Sequence, residues 1–211
     1  MTLWFATGNA HKKAELEAVL RPILCGHRIK IPADSGFVFD PEETGATFCE
    51  NALIKARALH ALVKKQGFSE PVIADDSGLC VDALGGRPGI YSARYAGRSE
   101  PRGSSKKLEA PERNVLLLEE LGDNPLRSAR FVCAMVLMFN EDRFYIVQET
   151  LEGEIVKNLD EAKGAGGFGY DPILWLPEKK CTVAELSEEE KNLISHRGKA
   201  AMRIGQLLTC R

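Results

Sequence analysis

The sequence predicts an α/β fold built on a mixed β-sheet. Three observations carry that expectation. Apolar, strand-like runs alternate with helical patterns in the first half of the chain. Two longer strand-like runs then flank a short polar turn. The composition, 44% apolar and 27% charged over 211 residues, is that of a globular chain able to bury a sizeable core. This length fits one domain, or two lobes sharing one sheet.

Leu3-Trp4-Phe5-Ala6 reads as a short buried strand, and Thr7-Gly8-Asn9 as the turn leaving it. From Ala10 to Leu20, Leu16, Val19 and Leu20 recur at helical spacing, and Pro22 stops the helix. A second strand is expected from Arg28 to Ile31, ending at Pro32. The strongest helical pattern runs from Ala46 to Lys65, with Phe48, Ala52, Ala56, Leu59 and Val63 on one stripe and Gly67 as the stop. Pro71-Val72-Ile73-Ala74 reads as a compact strand that breaks at Asp75-Asp76-Ser77-Gly78. The polar, basic stretch from Arg98 to Glu112 reads as an excursion from the fold, followed by a helix from Pro111 to Leu121. Ala129 to Phe139 and Phe144 to Thr150 form a hairpin pattern around Asn140-Glu141-Asp142-Arg143. Gly153 to Gly169 reads as loop. Ser187 with Glu190 has the spacing of a capping box, and Ile194 to Leu208 closes the chain as an amphipathic helix.

Composition also excludes some functions. A net charge of −2 supplies no polycationic surface for DNA or RNA. The six cysteines are scattered without a CxxC pair, so neither a zinc site nor a disulfide framework is expected. Reduced thiols of a cytoplasmic protein fit better. The N-terminal apolar run is short and lacks a basic leader, so neither secretion nor membrane insertion is expected.

Four segments carry chemistry, the second of them with an acidic counterpart elsewhere in the chain. Thr7-Gly8-Asn9-Ala10-His11-Lys12-Lys13 joins a strand to a helix start, where backbone amides and the helix dipole favour an anion; lysines there are otherwise misplaced. Asp75-Asp76 follows a buried strand. Adjacent carboxylates repel, and a divalent cation such as Mg²⁺ turns that repulsion into attraction; an exposed Asp-Ser-Gly turn is the competing reading. Glu42-Glu43 is a second acidic pair. Gly164 to Pro172 is dense in glycine, so a ligand can approach the backbone closely, and Phe168 and Tyr170 offer flat rings to a base. In Ser195-His196-Arg197, Ser195 can cap the last helix and place two cations in its first turn; a Ser/His nucleophile pair is a poor reading, because neighbours there diverge.

Taken in order, Thr7-Gly8-Asn9-x-x-Lys12, Glu42-Glu43-Thr44-Gly45 with Phe48-x-Glu50-Asn51-Ala52, Ala74-Asp75-Asp76-Ser77-Gly78-Leu79, Gly85-Gly86-x-Pro88-Gly89-x-Tyr91-Ser92-Ala93-Arg94, Gly166 to Pro172 and Ser195-His196-Arg197 resemble the inosine triphosphate pyrophosphatase family. The resemblance covers nearly the whole chain. It implies an elongated mixed sheet split into two lobes with the active site in the cleft, and a homodimer; the charge and the apolar pattern already leave no nucleic-acid or membrane partner expected. The implied activity is Mg²⁺-dependent hydrolysis of ITP, dITP and XTP to the monophosphate and pyrophosphate. It further implies that Thr7, Gly8, Asn9, Ala10, His11 and Lys12 cradle the phosphates, with Lys55 reaching them too. Glu43, in preference to Glu42, and Asp76 would hold Mg²⁺, with Asp76 as general base. Ser77, Phe168, Gly169, Tyr170, Asp171, Lys191, His196 and Arg197 would line the nucleotide pocket. No GxxxxGK[ST] occurs, which excludes a Walker-type NTPase.

Overall fold

Strand β1 (Thr2–Phe5) carries Leu3, Trp4 and Phe5 wholly out of solvent, as a run of apolar residues in the middle of a sheet should be. The computed structural model describes residues 2–24, 26, 28–97, 108–164 and 167–209. β1 pairs in parallel with β2 (Arg28–Lys30) on one side and β3 (Val72–Val81) on the other. Parallel neighbours need crossovers, and helices α1 (Ala10–Leu20) and α2 (Phe48–Lys65) fall between those strands. α3 (Ala110–Leu121) leads into β4 (Ser128–Asn140) and β5 (Arg143–Ile155), and β6 (Leu174–Leu176) and β7 (Cys181–Thr182) add antiparallel pairs beyond β5. The result is a mixed seven-stranded sheet in the order β2-β1-β3-β4-β5-β6-β7. Helices α4 (Glu188–Ile194) and α5 (His196–Thr209) end the described chain.

The chain divides into two compact units. The first comprises the described residues of Met1–Asp76, Cys133–Glu149 and Asn192–Arg211; the second, those of Ser77–Val132 and Thr150–Lys191. In the first, Leu16, Val19 and Leu20 of α1 and Ala200, Ala201, Ile204 and Leu208 of α5 share one core with Leu3, Phe5 and Ile73 of the sheet. In the second, Leu79, Tyr95, Leu117 and Ile173 are wholly buried.

Several expectations need correction. The strand that was to end at Ala74 continues to Val81, so Asp75 and Asp76 lie inside β3. β5 runs on to Ile155 into the segment expected to be loop, and β6 and β7 went unforeseen because runs of three and two residues show no periodicity. The last helix is as expected, α5 capped by Ser195, and the Ser187–Glu190 capping box starts a separate short helix, α4, before it. Of the expected excursion, Ala110 to Glu112 already belong to α3, while residues 98–107 lie outside those described. Among the described residues no helix is long and apolar enough to cross a membrane, and Cys49, Cys80, Cys133 and Cys181 are free thiols.

Candidate functional site

The two neighbouring carboxylates of β3 have different partners, because successive side chains of a strand point to opposite faces. Asp75 is 1% exposed and accepts from the Lys12 ammonium at 2.9 and 3.1 Å, with the Arg197 guanidinium Nε at 3.4 Å. Asp76 is 7% exposed and accepts from Lys55 Nζ at 2.9 Å and Asn51 Nδ2 at 3.2 Å. The expected mutual repulsion at a turn is thus replaced by two separate buried ion pairs. Their proton affinities diverge accordingly. Burial alone would raise the Asp75 carboxyl, but Lys12, Arg197 and Lys55 outweigh it and hold it well below the usual carboxylate range. Burial dominates at Asp76, and Lys55 only partly offsets it, so this carboxyl lies above its ordinary value.

The turn before α1 is built by its own side chains. Thr7 Oγ1 accepts from Asn9 N at 3.0 Å, and Asn9 caps the helix by accepting from His11 N at 2.9 Å and Lys12 N at 3.4 Å. Gly8, Asn9, Ala10 and His11 are exposed. The two amides taken by the cap subtract from the anion-binding capacity read into this turn. The misplaced lysines also have carboxylate counter-ions: Lys12 pairs with Asp75, and Lys13 with Asp34 at 2.7 Å.

Helix α2 supplies the second half of this constellation. Asn51 and Lys55 stand one turn apart on its buried face. Lys55 Nζ lies 2.9 Å from Asp76 and 3.2 Å from Glu43 Oε1; Glu42 and Glu43 are both exposed, and it is Glu43 that makes this contact. The structure therefore brings Glu43, and not Glu42, to the ammonium that holds Asp76. Burial would lower the Lys55 pKa, but Asp76, Asp75 and Glu43 together raise it above its ordinary value. Asn51 ties the parts together: its Oδ1 accepts from Gly45 N at 2.9 Å while its Nδ2 reaches Asp76. A Cβ on Gly45 would come within 2.6 Å of that Oδ1, so only glycine lets the Glu43 loop lie this close. Among the described residues no group of three or more His, Cys, Asp or Glu side chains is placed to hold a metal ion. Two carboxylates converging on one cation nevertheless suit Mg²⁺, which takes one or two protein carboxylates and completes its shell with water and phosphate.

In the second unit, Asp171 is 3% exposed and organises its neighbours. Its Oδ2 accepts from Phe168 N at 2.7 Å and Lys191 Nζ at 2.9 Å, and that ammonium lies 4.6 Å from the centre of the half-buried Phe168 ring. Asn114 donates to Gly169 O at 3.2 Å. Tyr170 is buried and donates to Ser92 O at 2.9 Å; its ring packs inside and does not stand open to a base, unlike the expectation. Ser77 is half-buried and follows Asp76 in β3.

At the start of α5, Ser195 Oγ accepts from Gly198 N at 3.0 Å, the expected cap. His196 and Arg197 are buried. The Arg197 guanidinium, expected to line the nucleotide pocket, bonds Glu15 as well as Asp75. Glu15 and Asn51 went unassigned in the sequence reading. The available signal was helical spacing, since Glu15 stands one turn after Lys12 and Asn51 one turn before Lys55.

The sequence profile of the Ham1 family matches residues 3–207. A dITP/XTP pyrophosphatase of Treponema denticola is 50% identical over 99% of this chain and 98% of its own length. That of Bacillus subtilis is 42% identical over 96% and 94%. Among solved structures, a HAM1 protein from Coxiella burnetii superposes with a TM-score of 0.82 at 39% identity, covering 99% of this chain and 98% of that one. The Staphylococcus aureus Ham1 protein gives 0.80 at 35%, with the same coverage. Likeness of this degree along the whole chain, in sequence and in backbone, places this protein in the Ham1 family.

Proposed function

We propose that this chain is a nucleoside-triphosphate pyrophosphatase that hydrolyses ITP, dITP and XTP to the nucleoside monophosphate and pyrophosphate with Mg²⁺. The relatives named dITP/XTP pyrophosphatase support the substrate class. The observation that carries the chemistry is Glu43 and Asp76 converging on one buried ammonium. In this reading Glu43 and Asp76 hold the metal, which when bound neutralises charge on phosphate oxygens. Asp76 orients a water and accepts its proton as the water oxygen bonds to the α-phosphorus and the α–β bridging bond breaks, releasing pyrophosphate. A carboxyl raised above its ordinary value is the stronger base of the β3 pair, and that is Asp76. Asn51 fixes the orientation of its carboxylate. Lys12, together with whatever backbone amides the Asn9 cap leaves open, meets charge on the phosphates. Ser77, Phe168, Gly169, Tyr170, Asp171, Lys191, His196 and Arg197 are assigned to the nucleotide by resemblance alone. Assembly as a homodimer belongs to the same reading.

The test is a nucleotide panel with and without Mg²⁺, reading pyrophosphate and orthophosphate separately. ITP, dITP and XTP should each give the monophosphate and pyrophosphate, with ATP and GTP much poorer and EDTA abolishing turnover. Orthophosphate released first, with IDP as co-product, would move the attack to another phosphorus and overturn the reading.

A further inference from the structure

We infer that Lys55 is a resident cation occupying the metal position between Glu43 and Asp76, and that a divalent metal binds there only by displacing it. The inference rests on the reading of Glu43 and Asp76 as metal ligands. Lys55 Nζ touches one oxygen of each carboxylate, at 3.2 and 2.9 Å, and the Lys55 side chain is 9% exposed. The two oxygens therefore share a single ammonium. A metal joining them would share both oxygens with a like charge already in contact, and at the buried Asp76 that repulsion is only weakly screened, although the Glu43 side chain is 35% exposed. Three positive charges would then confront two negative ones.

Metal and ammonium are thus alternatives at one position. This arrangement also solves a problem of the metal-free protein, in which Asp76 is 7% exposed and would otherwise lack a neutralising partner. Asn51 cannot take that part, since its amide donates a hydrogen bond but carries no charge. Asp75, the other carboxylate nearby, has its ion-pair contacts with Lys12 and Arg197 and feels Lys55 only through space. The lysine stem is long and flexible, so the head can leave while the stem stays on α2. An ammonium released beside the metal meets the next available anion, a phosphate oxygen of the substrate. Metal binding thereby arms Lys55 for the phosphates, and a single residue alternates between guarding the empty site and serving the filled one.

The experiment measures Mn²⁺ binding without nucleotide, by electron paramagnetic resonance, on the full chain. Glu43→Gln and Asp76→Asn should lose most of the binding. Lys55→Met should bind Mn²⁺ more tightly than wild type, about tenfold or more, because the competing charge is gone; Lys55→Gln serves if the methionine variant does not fold. Lys55→Arg, which keeps the charge, should show no tightening. In the wild-type protein, Mn²⁺ should speed labelling of Lys55 by an amine-reactive reagent several-fold, read by mass spectrometry. Unchanged or weaker binding in Lys55→Met and Lys55→Gln, with Glu43→Gln and Asp76→Asn still defective, sinks the competition and leaves the metal reading standing. Unaltered labelling in the presence of Mn²⁺ equally counts against displacement. Wild-type binding in Glu43→Gln and Asp76→Asn would remove the metal from this site, and the inference with it.

Discussion

Asp75 and Asp76 are adjacent in sequence and chemically unlike. Asp75 is the keystone of an ion-pair group with Lys12 and Arg197, and Arg197 in turn is bound by Glu15. Removing one partner of a buried pair leaves the others uncompensated, which costs about 3–5 kcal/mol. Asp75→Asn should therefore lower the melting temperature at neutral pH by on the order of 10 °C. A carboxyl depressed in the folded state stabilises above its ordinary value of 3.8 and loses that contribution as pH falls from there toward the depressed value. Wild type should accordingly lose stability on acidification below that point, with a shallower loss in Asp75→Asn. Asp76→Asn is the contrast. Its carboxyl is raised, so what it contributes is present below 3.8 and lost as pH rises through the folded value; ionised Asp76 is no prop of the fold at neutral pH. That variant removes a buried charge but leaves Lys55 with Glu43 as its remaining ion-pair partner, so it should lose less melting temperature than Asp75→Asn and yet lose about 10²-fold in kcat, the usual scale for a general base. Calorimetry across pH and steady-state kinetics on ITP check both halves. A large melting loss in Asp76→Asn with full activity would exchange the two assignments.

Strand β3 shows where local sequence stops being informative. Val72-Ile73-Ala74 announces a strand, and Asp-Asp-Ser-Gly announces its end, yet pairing continues to Val81. The residues that make this tolerable are Lys12, Lys55 and Arg197, which lie 63, 21 and 122 positions away. No window around Asp75 contains them. Helix α1 is the opposite case: Asn9 caps it and Pro22 follows it, both within its own segment, and its bounds were legible to the residue. The site divides in the same way. The acidic pair and Lys12 could be nominated from their types, and Lys55 and Glu43 from the family resemblance, but which carboxylate meets which cation is a property of the assembled sheet. The Gly167-to-Asp171 turn carries a testable consequence of this kind. Gly167 has φ +74°, and a Cβ there would land 2.1 Å from Asp171 Oδ2. Gly167→Ala should push Asp171 off Phe168 N and Lys191, destabilising by roughly 1–3 kcal/mol through strain and unmade hydrogen bonds. If Phe168 and Lys191 contact the nucleotide, KM for ITP should rise more than kcat falls. A variant that melts and binds as wild type would show that the turn tolerates the side chain and that Asp171 needs no such clearance.

At the scale of the molecule, two compact units are joined by more than linkers. The boundary between them passes through the middle of three strands: β3 changes unit after Asp76, β4 after Val132 and β5 after Glu149. A strand cannot unfold in half without breaking the ladder that continues from it, so fraying one unit exposes hydrogen-bonding groups at the end of the other. Cooperativity across the boundary follows, even though each unit has its own buried core. The two tryptophans allow this to be read directly, because Trp4 belongs to the first unit and Trp175 to the second. Trp4 is wholly buried and stacks on Phe37 with centroids 5.7 Å apart, whereas Trp175 is half-buried in β6. Their emissions should differ in the folded state and converge on unfolding. Trp4→Phe and Trp175→Phe each leave one reporter. Phenylalanine in place of the buried Trp4 shifts its own midpoint by removing packed volume. The comparison is therefore made within each variant, between its remaining tryptophan and far-ultraviolet circular dichroism. In urea, fluorescence and dichroism should give the same midpoint and the same slope in both variants, the mark of two-state unfolding. A tryptophan transition that precedes or follows the dichroism transition in either variant would show that one unit unfolds alone, and that three shared strands do not couple them.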